Sequence, residues 1–478
     1  MRGILSISGY IPIHRLDRKE VSALFGSGGG KGTRSVAGHD EDTTTMGVEA
    51  ARLALRGLDV EHMALLFATA TPAYADKTNA TALHAALGRP MSEPAWDFGG
   101  SARSAIGAFG FALASLPTTL VVAADRRDGL ATSSDEAGGG DAAAAVLVGE
   151  ATTSHPALAI QLGGASATDE FLDRWRVPGD RRSKQWEEKF GEQRYVALAT
   201  EAFARALSQA TLTPASIDRI VVTGMHTRAA KAVGAKLAQG RDVLVPDLTE
   251  SIGQTGGTHS LLLLASCLES LAGTPGGTKI AVVNLADGAD VVLLETTSSI
   301  ANWTPANPIA SQLKNTRPLP YGKFLSWRQM VTVEPPRRPE PGRVSATAAW
   351  RSEEWKFAFV GSKDRSTGTI HLPPSRVSRV GGAVDEMDPV PMADVQGTIV
   401  TFTIDRMVYS PSPPVAFAIV DFDGGGRFPI ELTDCTAEQV AIGGQVELTF
   451  RKLFTQDDIH DYFWKARLLP SVDDESEN

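Results

Sequence analysis

Residues Ala95–Phe109 read AWDFGGSARSAIGAF. An apolar approach ends in Asp97-Phe98-Gly99-Gly100, small residues follow, and an apolar run from Ile106 to Leu113 has the composition of a buried helix. The implied order is strand, glycine-rich turn, helix N-terminus. Such a turn lets a substrate approach the backbone closely, and the unpaired N–H groups of the first helical turn can stabilise a negative oxygen.

The same order returns in the second half of the chain. Arg219–Gly224 predicts a strand that ends just before Met225-His226. Ile252-Gly253-Gln254-Thr255-Gly256-Gly257 is a second glycine-rich turn, and Ser260–Leu271 is an apolar helix after it. Ile280–Leu285, the turn Asp287-Gly288-Ala289-Asp290 and Val291–Glu295 then predict strand, turn, strand. In the first half the turn at Phe98–Ser104 is followed by a helix to Leu116, a strand over Leu120–Ala124, the glycine-rich Ala137–Asp141 and a strand over Ala142–Val148. Two copies of an alternating β/α unit, each closing on a strand pair, imply an α/β fold of two sheets with helices between them.

The 478 residues are enough for more than one domain, and 42% hydrophobic with 21% charged residues is ordinary for a globular protein. A net charge of −10 disfavours nucleic acid as the main partner, because such sites need clustered Lys and Arg. No apolar run reaches bilayer length, so no membrane partner is expected. MRGILSISGYIP lacks the core of a signal peptide, and Cys267 and Cys435 cannot form a disulfide framework. A cytoplasmic location is the resulting expectation.

The remaining text fits around the duplication. Residues 3–10 predict a short strand. GSGGGKG at 26–32 fails as a phosphate loop: the residue five before Gly30 is Phe25, and Lys31 is followed by Gly32. Asp40-Glu41-Asp42-Thr43-Thr44-Thr45-Met46 opens a helix to Leu55, with acids and threonines where an N-terminus wants them. Met63–Ala70 is a buried strand, and Asp169–Arg176 (DEFLDRWR) predicts an amphipathic helix. The proline-rich 311–345 is expected to be a linker, with Tyr321–Arg328 docking on a domain. From 346 the pattern turns all-β, with strands expected at Val395–Ile404, Val415–Phe422, Arg427–Leu432, Gly444–Lys452 and Tyr462–Leu468. Asp423-Gly424-Gly425-Gly426 reads as a hairpin turn, and the set suggests a small barrel over 346–470, before an acidic tail at 471–478.

On these residues the chain resembles the thiolase superfamily, in its branch of 3-hydroxy-3-methylglutaryl-CoA synthases and type III β-ketoacyl synthases. The resemblance implies a duplicated fold of five αβαβα layers over 1–310. It implies an acyl-CoA substrate with no bound cofactor, and a homodimer working with a partner enzyme of acyl-CoA metabolism. In that branch the turn at Phe98–Ser104 presents a nucleophilic cysteine, in a pattern like Gly-x-Cys-Arg-Ala-Gly. Here Arg103 holds its place and the cysteine position is Ala102, flanked by Ser101 and Ser104. The segment before Thr71-Pro72-Ala73-Tyr74-Ala75-Asp76-Lys77 carries the branch's general-acid glutamate; Tyr74 and Lys77 match, but the glutamate position is Ala70. His226 falls at the family histidine. Gln254 stands where the family has the asparagine of Gly-Asn-Thr. The Asp287-Gly288-Ala289 turn matches a loop whose N–H completes an oxyanion hole. The all-β part, with DFDGGGR and YFWK, resembles the OB-fold domain that accompanies thiolase-like enzymes. Such domains begin with a cysteine zinc ribbon, whereas Gly361–Gly382 has no cysteine and His371 stands alone, so no zinc site is expected.

The candidate catalytic residues are His226 and Gln254, as donors to a thioester oxygen, and His259, as a base near the turn or simply a residue of a helix start. Ala102 and Gly288 supply candidate main-chain oxyanion donors; Tyr74 and Asp97 are weaker candidates. Cys267, inside LLLLASCLES, reads as core. Acyl transfer needs a thiolate or an activated hydroxyl, and Ala102 supplies neither. An aldolase or lyase working through a thioester enolate remains open. So do decarboxylation of a malonyl-type thioester, a synthase using another nucleophile, and a non-catalytic acyl-CoA-binding scaffold.

Overall fold

Strand β1 (Arg2–Tyr10) pairs on both of its edges, and the two halves of the first unit meet there. The computed structural model describes residues 2–115, 117–342 and 344–469; the expected helix end at Leu116 and the acidic tail 471–478 lie outside the described residues. The chain forms two units. One comprises Met1–Gly38, Asp42–Thr81 and Met91–Met330, the other His39–Glu41, Ala82–Pro90 and Val331–Asn478.

In the first unit the large-sheet strands after β1 are β2 (Ala64–Thr69), β3 (Ala95–Gly99), β4 (Thr119–Asp125), β5 (Ala142–Glu150), β6 (Ala159–Thr168), β7 (Arg219–Gly224), β8 (Lys279–Leu285) and β9 (Gly288–Thr296). They form one nine-stranded sheet in the order β7-β8-β9-β6-β1-β5-β4-β2-β3. The duplication is visible in the pairing. Strand β2 pairs parallel with β3 and β4, and β5 antiparallel with β4 and β1. In the second half β7 pairs parallel with β8 and, through one bridge, with Leu244, and β9 pairs antiparallel with β8 and β6.

The expectation of two separate sheets is corrected here. The halves join where Gly3 faces Ile160 and Ile4 faces Ala159. An edge strand left alone would expose a row of unpaired backbone groups. Gly3 permits the join, because a side chain there would clash with the Ala159 carbonyl oxygen.

Five helices complete the layers: α1 (Thr43–Leu55), α2 (Ser104–Ala114), α3 (Glu188–Ala210), α4 (Thr227–Ala238) and α5 (His259–Ser270). Helix α1 starts where the acids and threonines predict: Asp42 accepts from the Thr45 N–H at 3.0 Å, and the Asp42 N–H donates to Thr45 Oγ1 at 2.9 Å. It packs on β1, β4 and β5. Strand alternation sorts the rest. Ile280 and Val282 share a core with Leu66, Val121 and the apolar faces of α2 and α5, while Ala281 and Val283 share another with Leu198 of α3 and Val233 of α4. Successive strand residues point to opposite faces, so α2 and α5 lie between the half-sheets and α3 and α4 cover the outside. The αβαβα layering stands, with the half-sheets continuous at one edge.

Two further expectations change. Asp169–Arg176 is not a helix: β6 runs to Thr168, and Arg174–Trp175 pairs with Lys184–Gln185. Asp173 is turned inward and buried, a position that an exposed amphipathic helix would not give it. Much of the expected linker 311–345 is structured. Ile309–Lys314 and Tyr321–Trp327 are helical, Arg317–Pro318 pairs with His14–Arg15, and Tyr321, Phe324 and Leu325 are buried with Leu16, Val21 and Val36. Pro308 and Pro320 sit at the N-caps of these helices, where the missing N–H costs nothing, so they mark helix starts rather than coil.

In the second unit β10 (Gly397–Asp405), β11 (Val415–Phe422), β12 (Arg427–Leu432), β13 (Gln445–Gln456) and β14 (Ile459–Leu468) close a barrel in the order β10-β11-β12-β14-β13. Its core is aromatic: Phe450 and Trp464 are fully buried, and the Trp464 indole N–H donates to the Phe357 carbonyl at 2.8 Å. Before the barrel, Val360–Asp364 pairs with Ile370–His371 and with Met387–Pro391. Where a ribbon would hold thiolates, the fully buried Asp364 accepts from the Ser366 N–H and hydroxyl and the Thr367 hydroxyl, each at 2.8 Å. Among the described residues no group of three or more metal-ligating side chains occurs, and no helix is long and apolar enough to cross a membrane.

Candidate functional site

The turn after β3 begins at Gly100, whose φ of 93° suits glycine. It carries Ala102 to the start of α2, so the nucleophile position holds a methyl group. The neighbouring serines are used locally. Ser104 donates its hydroxyl to the Gly99 carbonyl at 2.7 Å, and Ser101 Oγ lies 3.4 Å from Ser104 Oγ. Neither has a basic side chain as a hydrogen-bond partner among the described residues.

Arg103 ties this turn to the second half. Its Nε and Nη2 donate to the two oxygens of Asp290 at 2.7 and 3.0 Å, and Nη1 donates to the Asp287 carbonyl at 3.0 Å. Gly288, at φ 138°, lies against the guanidinium, and a side chain there would come within 2.9 Å of Arg103 Nη1. The structure therefore brings the Ala102 and Gly288 turns together.

Asp125, buried at the end of β4, gathers the other pieces. Its Oδ1 accepts from the Ala70 N–H at 2.7 Å and the Thr69 hydroxyl at 3.3 Å, and its Oδ2 from the Gly257 N–H at 2.7 Å. Burial pushes this carboxyl up, while nearby Arg127 and the main-chain bonds pull it down. Gly256, at φ 69°, presses on Asp125, and a side chain at Gly257 would come within 2.9 Å of the Ala102 oxygen. The acid position, the nucleophile position and the second glycine-rich turn thus converge.

Gln254 belongs to this convergence through its backbone, whose N–H donates to Gly138 and whose carbonyl accepts from Gly140. Its Oε1 accepts from the Gly256 N–H at 2.5 Å, and its Nε2 faces Thr223 Oγ1 and the Gly224 carbonyl, both at 3.4 Å.

His226 does not join it. The residue caps α4, its Nδ1 accepting from the Ala229 N–H at 3.0 Å, and its Nε2 donates to the Glu188 carbonyl at 2.8 Å. Both ring nitrogens are used by main chain, which fixes the Nε2–H tautomer. The expectation that His226 and Gln254 together hold a thioester oxygen is not met in this arrangement, because the N-terminus of α3 occupies the imidazole.

His259 is also enclosed. Its Nδ1 lies 3.0 Å from Thr255 Oγ1 and its Nε2 donates to the Asp247 carbonyl at 2.9 Å. Burial lowers its pKa to about 4 and keeps it neutral. With Gln254, Val222, Ala230 and Leu244 it lines a cavity of about 230 Å³. Asp97 caps the helix that follows Asn79, accepting from the Asn79 and Ala80 N–H groups at 2.8 and 2.7 Å. The Tyr74 backbone N–H donates to Asn79 Oδ1 at 3.0 Å. Cys267 is core, its thiol pushed up to about 12 by burial.

Sequence reasoning missed several groups. Asp173 places Oδ1 3.9 Å from His226 Nε2, with that oxygen buried and unpaired. Tyr195 stacks edgewise on His226 and its hydroxyl accepts from the Asp287 N–H at 3.4 Å. Asp125 and Arg127 stood in view as a charged run after a buried strand; such a run at a strand end was the available signal.

The geometry has counterparts in known proteins. The Picrophilus torridus hydroxymethylglutaryl-CoA synthase is 25% identical over 359 residues, covering 69% of this chain and 98% of that one. The Aeropyrum pernix hydroxymethylglutaryl-CoA synthase is 27% identical over 349 residues, 69% and 95% of the two chains. Residues 389–451 match the family described as ChsH2, C-terminal OB-fold domain. This chain is an HMG-CoA synthase-like thiolase fold with a C-terminal OB-fold domain. Solved structures agree with the HMG-CoA synthase-like fold. MvaS in complex with 3-hydroxy-3-methylglutaryl coenzyme A superposes with a TM-score of 0.55 at 17% identity, over 72% of this chain and 94% of that one. An HMG-CoA synthase complexed with CoA gives 0.58 at 17%, over 72% and 93%. The OB-fold part is similar to a DUF35 domain-containing scaffold protein of Methanocaldococcus jannaschii, 23% identical over 108 residues, 22% of this chain and 76% of that one.

Proposed function

We propose that the HMG-CoA synthase-like unit binds a coenzyme A thioester and acts on the carbon–carbon bond beside its carbonyl without an acyl-enzyme, as an aldolase or lyase. The observation that carries this is Ala102: the turn that presents a nucleophile in the resembled branch offers none, and Ser101 and Ser104 are bonded within the turn. In a retro-aldol the Cα–Cβ bond of a β-hydroxyacyl thioester breaks. Its electron pair becomes the thioester enolate, the hydroxyl proton goes to a base, a carbonyl compound leaves, and Cα is then protonated. Such a path needs donors to the enolate oxygen, which the Ala102 and Gly288 turns can offer, but no thiolate. Gln254 lies beside them. His226 can contribute only if it leaves the Glu188 carbonyl. A homodimer belongs to the proposal, since β3 is a sheet edge and Trp96 on it and Phe111 on α2 are exposed.

One observation favours a second reading, a scaffold that holds acyl-CoA for a partner enzyme. Ala102, Ala70 and the engaged His226 leave all three positions of the resembled branch without a free reactive group, and the OB-fold part is similar to a protein named as a scaffold.

The test incubates the purified chain with acyl-CoAs and β-hydroxyacyl-CoAs, following thermal shift, product masses and intact protein mass. Cleavage products with unchanged protein mass support the lyase. Stabilisation without products supports the scaffold. A covalent acyl adduct on Ser101 or Ser104 refutes both.

A further inference from the structure

Strand β8 is apolar from Ile280 to Leu285 except at Asn284. A carboxamide is an unfavourable choice there, since asparagine is depleted in strands and this one is only 4% exposed. Its Nδ2 is buried and, among the described residues, has no hydrogen-bond partner. A buried donor left unmade is costly, and an apolar residue would continue the strand without that cost. The fold itself makes no use of this group.

The ladder places the amide. Asn284 is in register with Thr223 of β7 on one side and with Asp290 of β9 on the other, and Asp290 with Ser166 of β6. Residues in register project from the same face of a sheet. That face is the inner one, because Ile280 and Val282, at the same parity, share a core with α2 and α5. Four polar side chains thus form one row. The site stands at both flanks of Asn284: Thr223 Oγ1 lies 3.4 Å from Gln254 Nε2, and Asp290 holds Arg103, the neighbour of Ala102. Thr223 and Gln254 also line the cavity of about 230 Å³. Thr258, next to Gly257 in the second glycine-rich turn, has a buried hydroxyl that likewise lacks a partner among the described residues.

Resting on the reading that this unit forms a thioester enolate, we propose that Asn284 is a catalytic donor, whose Nδ2–H bonds the thioester oxygen between Gln254 and Arg103 as negative charge develops there. The substrate supplies the acceptor that the empty protein lacks. When a base takes a proton from Cα, the C–H electron pair forms the enolate double bond and the carbonyl pair moves onto oxygen. Asn284 stabilises that oxygen without giving up its own proton, and Cα is reprotonated from solvent. A neutral amide fixed by a strand gains most at the enolate, where the oxygen is most negative.

The experiment follows deuterium wash-in at Cα of acetyl-CoA and propionyl-CoA in heavy water by mass, on the full chain. Calorimetry gives acyl-CoA affinity, and a thermal midpoint reports folding. The wild type should exchange. Asn284→Leu should lower exchange about 100-fold or more and leave acyl-CoA affinity unchanged. It should hold or raise the midpoint, because an unpaired buried amide gives way to an apolar group of similar size. Asn284→Ser, which keeps a shorter donor, should fall between the two, and it carries the comparison should the leucine variant not fold. Wild-type exchange in the variants overturns the role of Asn284 and leaves the enolate reading standing. A loss of midpoint matching the loss of exchange also overturns it, since that marks a structural residue. Binding without exchange in the wild type overturns the enolate reading and the donor with it. Absence of binding by either thioester overturns the coenzyme A reading as well.

Discussion

The Nε2–H of His226 donates to the main-chain oxygen of Glu188 at 2.8 Å, while Nδ1 of the same ring accepts from Ala229. The imidazole therefore joins the start of α3 to the start of α4. Its removal should register in stability before it registers in chemistry. His226→Ala should lower unfolding stability by about 1–2 kcal/mol, from a lost N-cap and a stranded carbonyl. His226→Asn, which can still cap, should recover part of the loss. Urea denaturation of the three proteins measures this; an unchanged midpoint in His226→Ala would show that neither bond matters.

The Arg103–Asp290 pair links the Ala102 turn to the Gly288 turn with two parallel hydrogen bonds. Both side chains are mostly shielded, at 20% and 16% exposure, so the pair exceeds an ordinary surface bridge. A double-mutant cycle with Arg103→Met and Asp290→Asn should give a coupling of about 1–2 kcal/mol. Each single variant should also weaken any acyl-CoA binding, because the turns would no longer be held together.

His259 gives the fold a pH dependence of definite sign. Its folded pKa, about 4, lies below the ordinary histidine value near 6.5 because burial disfavours the cation. The unfolded chain therefore takes up a proton first as pH falls. The stabilisation is complete above about 6.5, declines below it, and is lost near 4, amounting to roughly 3 kcal/mol. Stability of the wild type minus that of His259→Gln, followed from pH 7 to 4, should fall in that window. A flat difference would mean that the ring protonates without cost.

Asp364 is expected to do in the second unit what a metal does in a zinc ribbon. Hydrogen bonds from Ser378, Thr367 and Ser366 hold its carboxyl well below the usual carboxylate range. A depressed carboxylate stabilises above its unfolded pKa, and the contribution is lost as pH falls through the folded one. Asp364→Ala should lower the thermal midpoint of the barrel unit, followed by tryptophan fluorescence, while a chelator leaves the wild-type midpoint unchanged. Loss of stoichiometric zinc on chelation would defeat this account.

The αβαβα order was legible because burial imposes a period on the text. AWDFGGSARSAIGAF and IGQTGGTHS, each followed by an apolar helix and a strand pair, show the duplication without any contact being known. The barrel strands Val415–Phe422 and Arg427–Leu432 were readable to the residue, since DGGG leaves a hairpin as the natural connection. The linker 311–345 was misread because a proline such as Pro320 looks alike in coil and at a helix N-cap, and only the burial of Tyr321 and Phe324 separates the two.

Residue identity alone determined that no thiolate stands at position 102 and no carboxylate at position 70, since an absent functional group needs no coordinates. The tertiary structure decided the rest of the site. Whether a histidine nitrogen is free depends on which backbone oxygen lies within 3 Å of it, and Glu188 is 38 residues away in the chain. Whether an arginine is paired depends likewise on strands and loops far apart in sequence. Hydrogen bonds and ion pairs act over a few ångströms of space, whereas sequence patterns report only burial and local conformation, so the engaged His226 could emerge only once the chain was folded.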